Sequence, residues 1–299
     1  MYPIKKAFFR LYLAAILSTC LIANAKEEAD DDASKVLAED RNVPNIEVIA
    51  KWNNPLPKRD YRAGVEHHSF LSKANGAEVG YSIYLPPKYY TDDSRYPVQY
   101  FLGGKGNDEN IQQKRWAHHL DPAIEWGNLP PLIIVWPNPM KNSWYMDSKN
   151  IKVETMIVKE LIQHVDATYK TYSDRKHRWI AGMSMGGTGC LKFAFKYPSL
   201  FSSVVSYAPA VSMNTERWPV NPRKFVEADI DRAKTVRVRI VCGDKDRLYK
   251  GAMEFHTFLS KLGVPCEFET LSGIGHNMNE IFDQVGIKGF LFHIESVEK

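Results

Sequence analysis

The chain lacks the features that define several protein classes. It has four cysteines in 299 residues, too few for a disulfide scaffold. There is no His-Glu-x-x-His and no His/Cys spacing of a zinc site, so no metal is expected. The glycine-rich stretch Gly103-Gly104-Lys105-Gly106 lacks the Gly-Lys-Ser/Thr ending of a phosphate loop. No cofactor is expected on these grounds. No internal repeat or Gly/Ser-rich linker divides the chain. Beyond residue 25, no segment is apolar enough to cross a membrane. With 44% hydrophobic and 25% charged residues, the composition excludes collagenous, low-complexity and wholly disordered chains.

What is present begins with an address. Lys5, Lys6 and Arg10 precede an apolar run over residues 11–23, and Ala23-Asn24-Ala25 follows as a small-x-small cleavage site. This is the layout of a signal peptide over residues 1–25, and it implies a periplasmic or secreted protein. Residues 26–45 are polar, open with Lys-Glu-Glu-Ala-Asp-Asp-Asp, and read as a disordered leader. One domain over residues 46–299 is expected. The formal charge of +4 falls to +1 once the three cations of residues 1–25 are removed, since no acid is lost with them. The remaining balance points to no nucleic-acid partner.

The early part of the domain alternates as strands do. Residues 79–85 have period two and end at Pro86-Pro87, and residues 65–71 pair with them around Asn75-Gly76. Short apolar runs follow at 98–102, 132–136, 179–183, 204–207, 236–242 and 266–271, rich in β-branched and aromatic residues. Such runs read as buried parallel strands. Helical periodicity lies between them at 154–169, 186–195 and 252–262. The expected fold class is α/β: a mostly parallel sheet with helices on both faces and a site at the carboxyl ends of its strands.

At one such strand end stands Gly182-Met183-Ser184-Met185-Gly186, a G-x-S-x-G nucleophile elbow between a strand and a helix. A sharp turn there needs glycine on both sides, lifts the Ser184 hydroxyl above the sheet and aims a helix amino terminus at it. The Met185 N–H is a candidate oxyanion donor. A serine hydroxyl needs a base and an acid, in the chain order Ser, Asp, His for this architecture. After the strand at 236–242 come Asp244 and Asp246. Asp246 is preferred because the turn brings it back toward the site, and Asp244 is the alternative. Among nine histidines, only His276 occupies a loop directly after the last strand. The loop after 98–102 carries the glycines that let backbone approach a substrate, and it places a second oxyanion donor at Lys105. Trp144 and Tyr145 follow a central strand and are candidate substrate-lining aromatics, with ordinary core or rim packing the alternative.

Three cysteines lie beyond the leader. Cys190 in a helix and Cys242 in a strand read as small apolar residues; a Cys242–Cys266 bridge between late strands is the alternative.

Ile180-Ala181-Gly182-Met183-Ser184-Met185-Gly186-Gly187, Lys196-Tyr197-Pro198-Ser199-Leu200-Phe201, Asn142-Ser143-Trp144-Tyr145 and Gly275-His276 together resemble the esterase D-like branch of the α/β-hydrolases. That branch includes feruloyl and acetylxylan esterases, S-formylglutathione hydrolases, siderophore esterases and mycolyltransferases. The resemblance implies the α/β-hydrolase fold, with Ser184 as nucleophile, Asp246 as acid and His276 as base. It also implies a small-molecule or polysaccharide-linked ester as substrate, cleaved through an acyl-enzyme. An acyltransferase using the same residues and a non-catalytic binding protein of the same fold are the competing readings. One departure is visible: Gly103-Gly104 stands where relatives often carry His-Gly.

Overall fold

A computed structural model describes residue 48 and residues 50–61, 64–111, 113–211 and 220–298. The expected signal peptide (1–25) and leader (26–45) lie outside the described residues.

Eight strands form one sheet in the order β1-β2-β4-β3-β5-β6-β7-β8. They are β1 Val65–Ser72, β2 Ala77–Tyr84, β3 Val98–Leu102, β4 Ile133–Pro137, β5 Arg178–Met183, β6 Ser203–Tyr207, β7 Arg237–Gly243 and β8 Cys266–Leu271. β1 and β2 form the expected hairpin, closed where Gly76 adopts φ +61°. β2 runs antiparallel to β4, and the pairs from β4 through β3, β5, β6 and β7 to β8 are all parallel. This is an α/β-hydrolase sheet, mostly parallel with an antiparallel margin.

The central strands are apolar because both of their faces are covered. Every residue of β3, β4 and β6 is buried. Burying each large apolar side chain of this core stabilises by roughly 1.5–3 kcal/mol. β8 departs from the expectation of a buried strand. It is the sheet edge and only half buried, with Glu267 and Glu269 turned to the Arg239 guanidinium at 2.9 and 2.6 Å. A charged edge resists pairing with another chain.

The helices, in chain order, are α1 Gln113–Glu125, α2, α3 Met185–Lys196, α4 Pro222–Ala228, α5 Ile230–Ala233, α6 Tyr249–Lys261, α7 Met278–Val285 and α8 Lys288–Glu298. α2 joins Val153–Thr155, a π-helical stretch Met156–Leu161 and Ile162–Thr168. α1 is absent from the sequence-based reading, and it contains Pro122. Its buried Trp116, Leu120 and Ala123 recur at helical spacing, so packing outweighs the proline. α3 is buried along almost its whole length behind the centre of the sheet.

Among the described residues the three cysteines, Cys190, Cys242 and Cys266, are free. The register sets Cys242 opposite Thr270 and Cys266 opposite Val238, so the alternative of a Cys242–Cys266 bridge is ruled out.

Candidate active site

Ser184 sits between β5 and α3 with φ 58° and ψ −116°, a conformation unfavourable for a residue with a side chain. Three backbone hydrogen bonds hold it there. The Ser184 N–H donates to the Tyr207 carbonyl at 3.0 Å, and the Ser184 carbonyl accepts from the Thr188 and Ala210 N–H groups at 3.0 and 3.2 Å. The flanking glycines are steric requirements. A Cβ on Gly182 would collide with the Gly186 carbonyl, and one on Gly186 with the Leu102 carbonyl.

β7 and β8 supply the other two side chains. The turn after β7 is closed by the Asp246 N–H donating to the Gly243 carbonyl at 3.1 Å, which swings Asp246 inward. Its carboxylate is fully buried; one oxygen accepts the Leu248 N–H at 2.9 Å, and the other meets His276 Nδ1 at 2.6 Å. Nε2 of the same ring is 3.0 Å from Ser184 Oγ. His276 is held just ahead of α7, where the Asn277 side chain caps the helix by accepting the Asn279 N–H at 3.0 Å. The structure therefore brings Ser184, His276 and Asp246 into one hydrogen-bonded row. Asp244 points elsewhere: it is exposed and accepts the Gly273 N–H at 2.8 Å, which ties the β7 loop to the loop that carries His276.

Met185 is the first residue of α3, and the first N–H groups of a helix have no partner within it. Its amide is free to face charge developing beside Ser184. On the other side, Gly104 is the loop residue packed against the serine. A Cβ placed on Gly104 would lie 3.6 Å from Ser184 Cβ. Lys105 is one residue further along, with its side chain exposed.

The aromatic pair divides. Trp144 is half-buried and packs against the core. Tyr145 is fully buried, and its hydroxyl donates to the Gly103 carbonyl at 2.8 Å. The expectation that Tyr145 lines the substrate cleft is thus corrected: it reaches the loop beneath the site. The sequence gives no sign of this, because an aromatic after a strand reads the same whichever way it turns.

Two buried carboxyl groups also escaped sequence reasoning. Glu154 on α2 pairs with Lys192 and Lys196 of α3 at 2.6 and 2.7 Å. Burial pushes its carboxyl up, but the two lysines prevail and hold it at about 2. Glu109, in the loop after β3, accepts the Asn54 N–H at 2.6 Å, the Asn54 amide at 2.8 Å and His67 Nε2 at 3.0 Å. Among the described residues no group of His, Cys, Asp and Glu is arranged to hold a metal.

Residues 72–262 match the family model described as "Putative esterase", and the chain belongs to that family of α/β-hydrolases. Esterase Rv1288 of Mycobacterium tuberculosis is 27% identical, over 70% of this chain and 55% of its own. The endo-1,4-beta-xylanase/feruloyl esterase of Xylanibacter ruminicola is 27% identical over 69% of this chain and 30% of its own. The chain thus spans about half the length of Rv1288 and less of the xylanase. A ferulic acid esterase structure superimposes with TM-score 0.72 and 25% identity, covering 79% of this chain and all of the other. An S-formylglutathione hydrolase from Staphylococcus aureus, at TM-score 0.62 and 19% identity, shares the fold over 77% of this chain and 98% of its own.

Proposed function

We propose that the protein is a serine carboxylic-ester hydrolase working through an acyl-enzyme. The observation that carries this reading is the row Ser184 Oγ, His276 and Asp246, at 3.0 and 2.6 Å, beside a strained serine at a strand–helix elbow. Asp246 accepts the Nδ1 proton and so leaves Nε2 with a lone pair facing the Ser184 hydroxyl. His276 takes that proton as Oγ attacks the ester carbonyl, and the imidazolium formed is stabilised by the buried carboxylate. It then protonates the leaving alcohol. A water activated by the same nitrogen cleaves the acyl-enzyme.

The oxyanion is received by the Met185 amide and by an amide of the loop after β3. In this reading the second donor is Gly104 rather than Lys105, because Gly104 lies against Ser184. Trp144 borders the substrate. The likeness to feruloyl esterases supports a feruloyl ester as substrate; this reading extends to acetyl and other acyl esters of sugars or polysaccharides. The protein is exported, with processing after Ala25.

A fluorophosphonate probe tests the chemistry. Wild type is expected to be labelled at Ser184 and Ser184→Ala not at all; an unlabelled wild type refutes the reading. Turnover of methyl ferulate or acetylated xylo-oligosaccharide tests the substrate class. Activity confined to S-formylglutathione would overturn it. Mass spectrometry of the exported protein tests the processing site and is expected to find Lys26 as the first residue.

A further inference from the structure

Every polar atom of Tyr145 is occupied. Its N–H donates to Ser143 Oγ at 3.0 Å, its carbonyl accepts from Lys192 Nζ at 2.6 Å, and its hydroxyl donates to the Gly103 carbonyl at 2.8 Å. Its backbone is held at φ +56°, a region that residues with side chains avoid. Its ring is seated directly on α3. A Cβ on Gly189 would come within 2.6 Å of the ring, and Phe193 meets it edge-on at 6.1 Å between centroids. Lys192 is itself buried and fixed to Glu154 at 2.6 Å, so the carbonyl of Tyr145 is bonded to a charged group that cannot move freely. Nothing in this arrangement faces a substrate.

The geometry has a direct consequence for the oxyanion loop. The Gly103 carbonyl and the Gly104 N–H belong to one peptide unit, which is planar and trans, so they point in opposite directions. Fixing the carbonyl toward Tyr145 fixes the N–H away from it. Gly104 has φ/ψ freedom that no side chain restricts, and its neighbour Gly103 shares it. A donor peptide between two glycines needs an external hold if it is to be preorganised, and preorganisation is what makes an oxyanion donor effective.

We infer that Tyr145 is a positioning residue: its hydroxyl locks the Gly103–Gly104 peptide so that the Gly104 N–H faces the oxyanion, and the buried Lys192–Glu154 pair locks Tyr145. The inference rests on the ester-hydrolase reading and assigns the rigidity of its oxyanion hole to one hydroxyl.

Tyr145→Phe removes that oxygen and keeps the ring. Its kcat for p-nitrophenyl acetate is expected to fall about 10–100-fold, less than the loss of a whole donor, with KM changed less than about threefold. Affinity for a boronic-acid analogue of the tetrahedral intermediate is expected to fall by a similar factor, and affinity for the product acid to hold. Phe193→Leu loosens the same packing without touching the hydrogen bond, and it controls for a purely structural effect. It is expected to lower thermal stability and keep kcat within about threefold.

The inference is overturned if Tyr145→Phe keeps wild-type kcat and analogue affinity, or if its defect lies in KM. It is also overturned if Phe193→Leu, at equal loss of stability, loses as much kcat. The two readings separate cleanly. A wild type that is labelled and active beside an unimpaired Tyr145→Phe sinks the positioning role alone. A wild type that is neither labelled nor active sinks both.

Discussion

His276 Nδ1 meets one oxygen of Asp246 at 2.6 Å, while the other oxygen accepts the Leu248 N–H at 2.9 Å. The carboxylate is therefore fixed at both ends, and the ring tautomer with it. Asp246→Asn would present an amide in place of the acceptor and favour the wrong tautomer. It is expected to lower kcat about 10⁴-fold. Asp244→Asn, altering an exposed carboxylate that only bridges two loops, is expected to stay within a few-fold of wild type. Steady-state kinetics on p-nitrophenyl acetate decides, and equal losses would reassign the acid.

The elbow glycines give a stability prediction. A methyl on Gly186 meets the Leu102 and Gly103 carbonyls, which are sheet and loop backbone and cannot move aside cheaply. Overpacking of this kind costs typically 1–3 kcal/mol. For a domain of this size Gly186→Ala is expected to lower Tm by roughly 2–12 °C. A calorimetric melt unchanged from wild type would show that the elbow is looser than described.

His293 predicts how stability varies with pH. The ring is fully buried, bonded through Nδ1 to Ser203 Oγ at 2.7 Å and stacked on Trp179 at 5.3 Å. Burial, with a smaller contribution from Arg237, pushes its pKa down to about 3 from 6.5. The folded state thus resists a proton that the unfolded state accepts below about 6.5. Stability attributable to this group is fully present above that value and is lost as pH falls toward 3. The slope approaches about 1.4 kcal/mol per pH unit in between. Urea midpoints between pH 7 and 4 should therefore fall less steeply in His293→Gln than in wild type. Parallel curves would refute the assignment.

The thiols should be silent. Burial pushes the Cys190 thiol far up, and those of Cys242 and Cys266 to about 12. A thiol is reactive only as thiolate. Ellman's reagent is expected to react slowly with the native protein and promptly with the unfolded one, and dithiothreitol to leave Tm unchanged. A fall in Tm on reduction would reveal a bridge.

The central strands were readable because burial on both faces leaves unbroken apolar runs, as in residues 98–102 and 204–207. That Ser184 and His276 would meet was readable because motif and topological position agree. Asp246 and Asp244 were harder to separate: they share one turn, and only the direction of its closing hydrogen bond sends one inward. α1 was missed because a proline masked a helical apolar spacing that tertiary packing makes decisive. The buried Glu154–Lys192 pair was illegible for a different reason. Each residue looks like an ordinary solvated helix position, and their meeting depends on how α2 crosses α3.

The edge position of β8 has a consequence for folding. His276 lies 92 residues from Ser184 and hangs on the one strand that a single neighbour, β7, holds in the parallel sheet. Closing so long a loop is entropically costly, and an edge strand with half its surface in water gains least in return. A chain that has built its core but not docked β8 would carry a formed elbow whose Ser184 lacks its His276 partner. Recovery of esterase activity after dilution from denaturant would then trail the recovery of tryptophan fluorescence, and the interval between them would measure the docking of that last strand.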